Sequence, residues 1–147
     1  MKISVGVDIA APPDAVWAVL EPIEHHVEWM SEAESITFTG ATTRGLGTTF
    51  DCVTKLGPVR LTDRMVVTEW EPARAMGISH EGAVKGSGRF TLATAGPNHT
   101  RFTWTEALRF PWWLAGPPGA AIAAPILRAV WRRNLRGLKT IVEGSRA

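Results

Sequence analysis

The stretch from Ser35 to Phe110 is divided by turn signals into six short segments with alternating apolar residues, and one long amphipathic helix pattern follows. That order limits the fold more than any other feature. Successive short strands joined by turns favour an antiparallel meander. One twisted sheet must cover its apolar face, and a single long helix at the end of the chain is the only element large enough to do so.

The segments are Ser35–Thr39, Thr48–Lys55, Val59–Trp70, Ala75–His80, Lys85–Thr94 and Thr100–Phe110. Gly57-Pro58, Glu71-Pro72 and Gly96-Pro97-Asn98 mark turns between them. A seventh strand precedes them. In Met1–Ala10, Ile3, Val5, Val7 and Ile9 share one face, a period-two pattern of β-branched residues. Pro12-Pro13-Asp14 opens a short helix with Val16, Trp17 and Leu20 on one side, because proline suits a first helical turn and an acid there complements the dipole. Pro22 breaks it, and a second short helix runs through Glu24 to Met30. After a Gly/Pro/Ala-rich stretch, the helix over Ile126–Gly144 presents Leu127, Val130, Trp131, Leu135, Leu138, Ile141 and Val142, with Pro125 expected to begin or kink it. The expectation is an α+β fold in one domain over residues 1–147. A curved seven-stranded antiparallel sheet wraps the C-terminal helix, with two short helices after the first strand.

Composition narrows the function classes. A net charge of +2 gives no reason to expect nucleic-acid binding. The lone Cys52 cannot form an internal disulfide, and the N-terminus lacks the apolar stretch of a signal peptide, so a cytoplasmic protein is expected. No apolar run is long enough to span a bilayer, so stable membrane insertion is not expected. Five cations on the last helix (Arg128, Arg132, Arg133, Arg136, Lys139) read as its solvated exterior, with weak attraction to anionic lipid a minor alternative. Seven tryptophans without a tyrosine suit packing or an apolar cavity better than phenol chemistry.

Several pieces together resemble the START-like, or SRPBCC, superfamily, which includes sequences labelled polyketide cyclase/dehydrase and lipid-transport proteins. They are Val7-Asp8-Ile9-Ala10-Ala11-Pro12-Pro13-Asp14-Ala15-Val16-Trp17, Trp29, Gly47-Thr48-Thr49-Phe50, Val67-Thr68-Glu69-Trp70-Glu71-Pro72 and the helix end Leu135–Glu143. They span nearly the whole chain. The resemblance implies a helix-grip fold with a cavity between sheet and helix. None of the pieces is a catalytic motif, and the superfamily hosts carriers, receptors, cyclases and oxygenase domains.

The chain has no P-loop, dinucleotide fingerprint, HExxH or paired CxxC, and no cofactor is expected. His25, His26 and Glu28 could suggest a metal set. However, adjacent histidines point about 100° apart on a helix, so a solvated face is expected and no metal site.

Strand parity gives the candidate cavity wall, because residues i and i+2 share a face. Phe50, Cys52, Leu61, Met65, Met76, Ile78, Phe90, Trp104 and Leu108 should face inward, with Trp112 at the mouth and Ile126, Leu127 and Val130 on the helix. The same parity places Asp63, His80 and Glu106 inside. Buried carboxylates are costly unless paired, neutralised or wetted. Each of the three, taken singly, is expected at a strand end near solvent or beside an arginine such as Arg60 or Arg64. As a trio they are the candidates for ligand orientation or acid/base chemistry. Of Trp112-Trp113, one indole should be exposed as a lid, a membrane-touching tip or a dimer contact, unless both pack under the helix.

Without a nucleophile–base pair at a diagnostic spacing, binding of a small hydrophobic, lipid- or polyketide-like molecule ranks first. An aromatase/cyclase-type enzyme is the alternative. The third reading is an interaction module whose core is filled by its own side chains. A homodimer is a further possibility.

Overall fold

A computed structural model describes residues 1–145. Seven strands form one antiparallel sheet in the order β1-β7-β6-β5-β4-β3-β2: β1 Lys2–Ile9, β2 Ala33–Phe38, β3 Thr49–Leu56, β4 Val59–Glu71, β5 Ala75–Glu81, β6 Lys85–Thr94 and β7 Thr100–Arg109. Each strand from β2 to β7 pairs with its sequence neighbour, and β1 closes onto β7. The expected α+β architecture is what the structure shows. Register shifts between Ala33 and Ser35 and between Val67 and Glu69 interrupt the ladder. Irregularities of this kind bend strands and increase twist, which gives the sheet a concave face.

Helix α1 (Pro13–Leu20) and a 3-10 helix (Ile23–Glu28) follow β1, and a 3-10 turn (Trp112–Leu114) leads into helix α2 (Gly116–Gly144). Helix α2 begins ten residues earlier than the sequence indicates, and Pro125 lies inside it. Two effects explain the correction. Pro117 and Pro118 fall in the first turn, where backbone N–H groups have no helical partner to lose. Pro125 removes the donor that would bond the carbonyl of Ala121, and Ala121 is exposed, so water can take its place.

Leu127, Trp131, Leu135, Leu138 and Val142 are buried along one stripe of α2. They pack with Ile3, Val5 and Ile9 of β1, Phe102 and Trp104 of β7, and Trp17 and Leu20 of α1. Full burial of such aliphatic side chains contributes roughly 1.5–3 kcal/mol each. A second cluster, Ile23, Ala33, Phe50, Cys52 and Val67, joins the 3-10 helix to β2, β3 and β4. The space between the two clusters is the cavity.

Asn134 lies in the apolar stripe of α2 and is 2% exposed. Its Oδ1 accepts from the Ser31 N–H at 3.1 Å and the Ser31 hydroxyl at 2.9 Å, and its Nδ2 donates to Glu32 Oε2 at 2.7 Å. A buried amide with these partners satisfied ties the segment before β2 to the helix.

No helix among the described residues is long and apolar enough to cross a membrane.

Candidate functional site

A cavity of about 540 Å³ opens between the concave sheet face and α2. Its wall includes Phe50, Cys52, Leu61, Met65, Met76, Ile78, Phe90, Trp104, Leu108, Ile126 and Leu127, with Asp63, His80 and Glu106 at its polar end. Strand parity therefore locates most of the wall. Two expected residues lie elsewhere. Trp112 is 87% exposed and outside the lining, while Leu114, two residues on in the same 3-10 turn, lines the cavity. Val130 packs partly buried against the core at the side of α2, and Trp131 takes the wall position.

The indoles do not fill the space. Trp104 and Trp131 stack with centroids 4.8 Å apart and planes at 25° to form part of one wall. Trp17 and Trp70 meet edge-on at 5.2 Å and are not part of the lining. Trp131 thus both packs in the core and forms part of the cavity wall.

Asp63, His80 and Glu106 form a single hydrogen-bonded group. His80 Nδ1 lies 2.5 Å from Asp63 Oδ2, and Nε2 lies 2.7 Å from Glu106 Oε2. Glu106 Oε1 accepts the Trp104 indole N–H at 2.9 Å. The three neither sit at solvated strand ends nor pair with arginine. Arg60 pairs with Glu34 and Arg64 with Asp51, both on exposed surface.

Local sheet geometry assembles the group. Met65 of β4 faces His80 of β5 in register, so Asp63 is the diagonal neighbour of His80. Glu106 is two strands from His80, with β6 between them, but β6 presents Gly86 opposite His80 and Gly88 opposite Glu106. With no side chain at either position, His80 reaches across β6. A Cβ on Gly88 would lie 2.3 Å from Glu106 Oε1, and one on Gly86, at φ +142°, would lie 1.8 Å from the Ala107 carbonyl oxygen.

Both ring nitrogens of His80 face carboxylate oxygens. Both can donate only when the ring is protonated. Burial opposes the charge, but the hydrogen bonds and charges of Asp63 and Glu106 outweigh it and hold the imidazole up at about 9. Asp63 Oδ1 is buried with no hydrogen-bond partner.

Sequence reasoning missed two polar residues of the wall, Glu32 and His26. Glu32 lines the cavity, and burial raises its carboxyl pKa against the opposing Asn134 hydrogen bond. His26 also lines it. Instead of standing on a solvated face, His26 is 5% exposed, bonds the Leu20 carbonyl through Nε2 at 2.7 Å, and is lowered by burial to about 4. Cys52 is buried, and desolvation pushes its thiol up to about 11, which makes it a poor nucleophile. Among the described residues, no three His, Cys, Asp or Glu side chains are arranged to hold a metal ion.

The geometry can bury an apolar molecule and present it with an imidazolium held between two carboxylates. Comparisons with known proteins agree on the architecture. The model of a family described as polyketide cyclase / dehydrase and lipid transport matches residues 1–143. An uncharacterized protein of Mycobacterium tuberculosis is 30% identical over 139 residues, covering 90% of this chain and 79% of its own. Among solved structures, a Thermus thermophilus protein superposes with TM-score 0.79 at 17% identity, covering 100% of both chains. The Zhui aromatase/cyclase of Streptomyces sp. R1128 gives 0.73 at 20% identity, over 97% of this chain and 93% of its own. A truncated norcoclaurine synthase of Thalictrum flavum gives 0.72 at 14% identity, over 97% and 92%. These structural likenesses carry the helix-grip fold. With the family match along almost its whole length, the chain belongs to the polyketide cyclase/dehydrase and lipid transport family.

Proposed function

We propose that the protein binds a small, mainly apolar molecule in the cavity between sheet and α2. The observation that carries this reading is a space of about 540 Å³, walled by aliphatic, sulfur-containing and aromatic side chains, with a hydrogen-bonded group of Asp63, His80 and Glu106 among them. That is the usual make-up of a small-molecule site: apolar lining for affinity and a few polar groups for orientation. Burial of ligand surface supplies ~25 cal/mol per Å² removed from water. Titration with Nile red, an uncharged apolar dye, tests it. The wild-type protein should bind the dye with a blue-shifted emission. Ile78→Trp, which places an indole in the cavity, should weaken binding at least about ten-fold while the circular dichroism spectrum is kept. Equal dye binding by both proteins would place the dye elsewhere and remove the cavity as the site.

A second reading, acid/base catalysis of ring closure in a polyketone, is favoured by one observation. Asp63, His80 and Glu106 line the cavity as one hydrogen-bonded group. A carboxylate of this group would take a proton from a carbon between two ketones, the enolate would attack a second carbonyl further along the chain, and the same carboxylic acid would return the proton to the resulting alkoxide. Turnover of a short poly-β-ketone, lost in Glu106→Gln with the fold kept, would support catalysis. Return of the polyketone unchanged by the wild-type protein would leave binding alone.

A further inference from the structure

Pro111–Leu127 contains no charged, hydroxyl or amide side chain. A run of that kind is normally buried, yet much of this one is open. Trp112 and Trp113, in the 3-10 turn before α2, are 87% and 50% exposed. Ile122 and Ile126, about one helical turn apart, are 71% and 56% exposed on α2. Single exposed apolar residues are ordinary, but four so close together make a patch. Ile126 also lines the cavity, as do Leu114 of the same 3-10 turn and the exposed Val59 at the start of β4. The patch is therefore continuous with the cavity mouth.

The charge around the patch has one sign. Between Glu106 and Glu143 the chain has no acid, whereas Arg109, Arg128, Arg132, Arg133, Arg136 and Lys139 fall in that interval. Lys139 pairs with Glu143. Among the described residues, none of the five arginines is in an ion pair. Arg109 is exposed two residues before Pro111. On α2 the helical period carries one exposed face from Pro118, Ile122 and Pro125 to Arg132, Arg133 and Arg136. The arginines begin about 10 Å beyond Ile126 along that face.

An exposed pair of indoles, open isoleucines and unpaired arginines, without carboxylates, suits the surface of an anionic bilayer. Tryptophan settles at headgroup depth, and arginine lays its stem on apolar surface while its guanidinium reaches phosphate. A second copy of the chain fits less well, because a two-fold contact through this face would set its arginines against their own counterparts. We propose that this face docks reversibly on an anionic lipid bilayer, with the cavity mouth against the lipid. The apolar residues would enter only the headgroup and upper acyl region. Docking stands on the patch alone. Its use, exchange of an apolar ligand between bilayer and cavity, rests on the ligand-binding reading.

The test is co-sedimentation of the full-length chain at low salt with vesicles of phosphatidylcholine alone and of equimolar phosphatidylcholine and phosphatidylglycerol. Partitioning onto the anionic vesicles should be at least about ten-fold stronger, and should weaken as salt is raised. Trp112→Ala should reduce it about five-fold or more, and Arg132→Glu combined with Arg133→Glu at least about ten-fold. All three side chains are exposed, and circular dichroism checks that the fold is kept. Nile red affinity, measured without vesicles, should be unchanged in both variants. Absence of wild-type binding to the anionic vesicles, or binding that both variants retain, overturns the docking and leaves the ligand-binding reading standing. A concentration-dependent dimer broken by Trp112→Ala, with no vesicle binding, would assign the patch to a second copy and overturn it too. Vesicle binding by a protein that takes up no Nile red would keep the docking and remove the exchange.

Discussion

His80 on β5 and Glu106 on β7 lie 2.7 Å apart, although β6 runs between their strands. Neighbouring strands are about 4.8 Å apart, so side chains two strands away normally meet a third side chain first. Gly86 and Gly88 remove that obstacle. The polar centre of the cavity therefore depends on two residues that contribute no functional atoms.

Gly88→Ala tests this dependence. Its Cβ would lie 2.3 Å from Glu106 Oε1 and 2.7 Å from Oε2, so the carboxylate must move away from His80. The expected cost is about 1–3 kcal/mol of stability, from overpacking and a broken buried pair. Chemical denaturation measures the loss. NMR titration of His80 should show its pKa falling toward the ordinary value near 6.5, and an unchanged titration would show that the pair does not rely on Gly88.

The protonated state of His80 gives the protein a sensitivity to alkaline pH. The folded pKa, about 9, lies above the ordinary 6.5, so between these values the folded protein keeps a proton that the unfolded chain releases. The stabilisation is complete below 6.5 and is lost as pH rises through about 9. Its size is of order 3 kcal/mol. Urea unfolding at about pH 6 and about pH 10 should show this decline in the wild-type protein and a much smaller one in His80→Gln.

His26 acts at the other end of the scale. Burial lowers it from 6.5 to about 4, so the unfolded chain takes up a proton more readily than the folded one. Stability should fall as pH drops from 6.5 through about 4. Comparing wild type with His26→Gln across that window isolates the effect from the carboxylates. Parallel pH profiles would show that His26 does not resist protonation in the fold.

Asn134→Ala removes the partner of Glu32 and of both Ser31 donors. Leaving these groups unsatisfied and opening a small void should cost about 2–4 kcal/mol. Trp112→Ala, at a side chain that is 87% exposed, should change stability by no more than about 0.5 kcal/mol. Thermal denaturation of the two variants should separate them clearly, and similar losses would contradict the burial described for these residues.

The sheet was legible in the sequence because its strands alternate. In β7, period two places Phe102, Trp104, Glu106 and Leu108 on one face, and all four are buried. The same logic brought Asp63, His80 and Glu106 inward, but it could not show that they bond one another. That contact depends on the pairing order of β5, β6 and β7 and on two glycines of β6, the strand between β5 and β7. Glu32 and Asn134 escaped notice because neither follows a strand alternation, and a polar residue in a helical apolar stripe acquires its partner only from tertiary packing. His26 was hidden by its neighbour His25, since a short 3-10 helix buries one and exposes the other. The start of α2 was obscured because two prolines and two glycines read as a break, whereas at a helix N-terminus prolines are compatible with the first turn.

Native mass spectrometry of the freshly purified full-length chain tests ligand binding most directly. The account predicts a co-purified small molecule, released on mild activation, that is absent from Ile78→Trp. The same spectrum gives the subunit number and so tests the homodimer considered from the sequence. Identical bare masses for both proteins, with no dye bound by either on titration, would contradict the claim that the cavity is a ligand site.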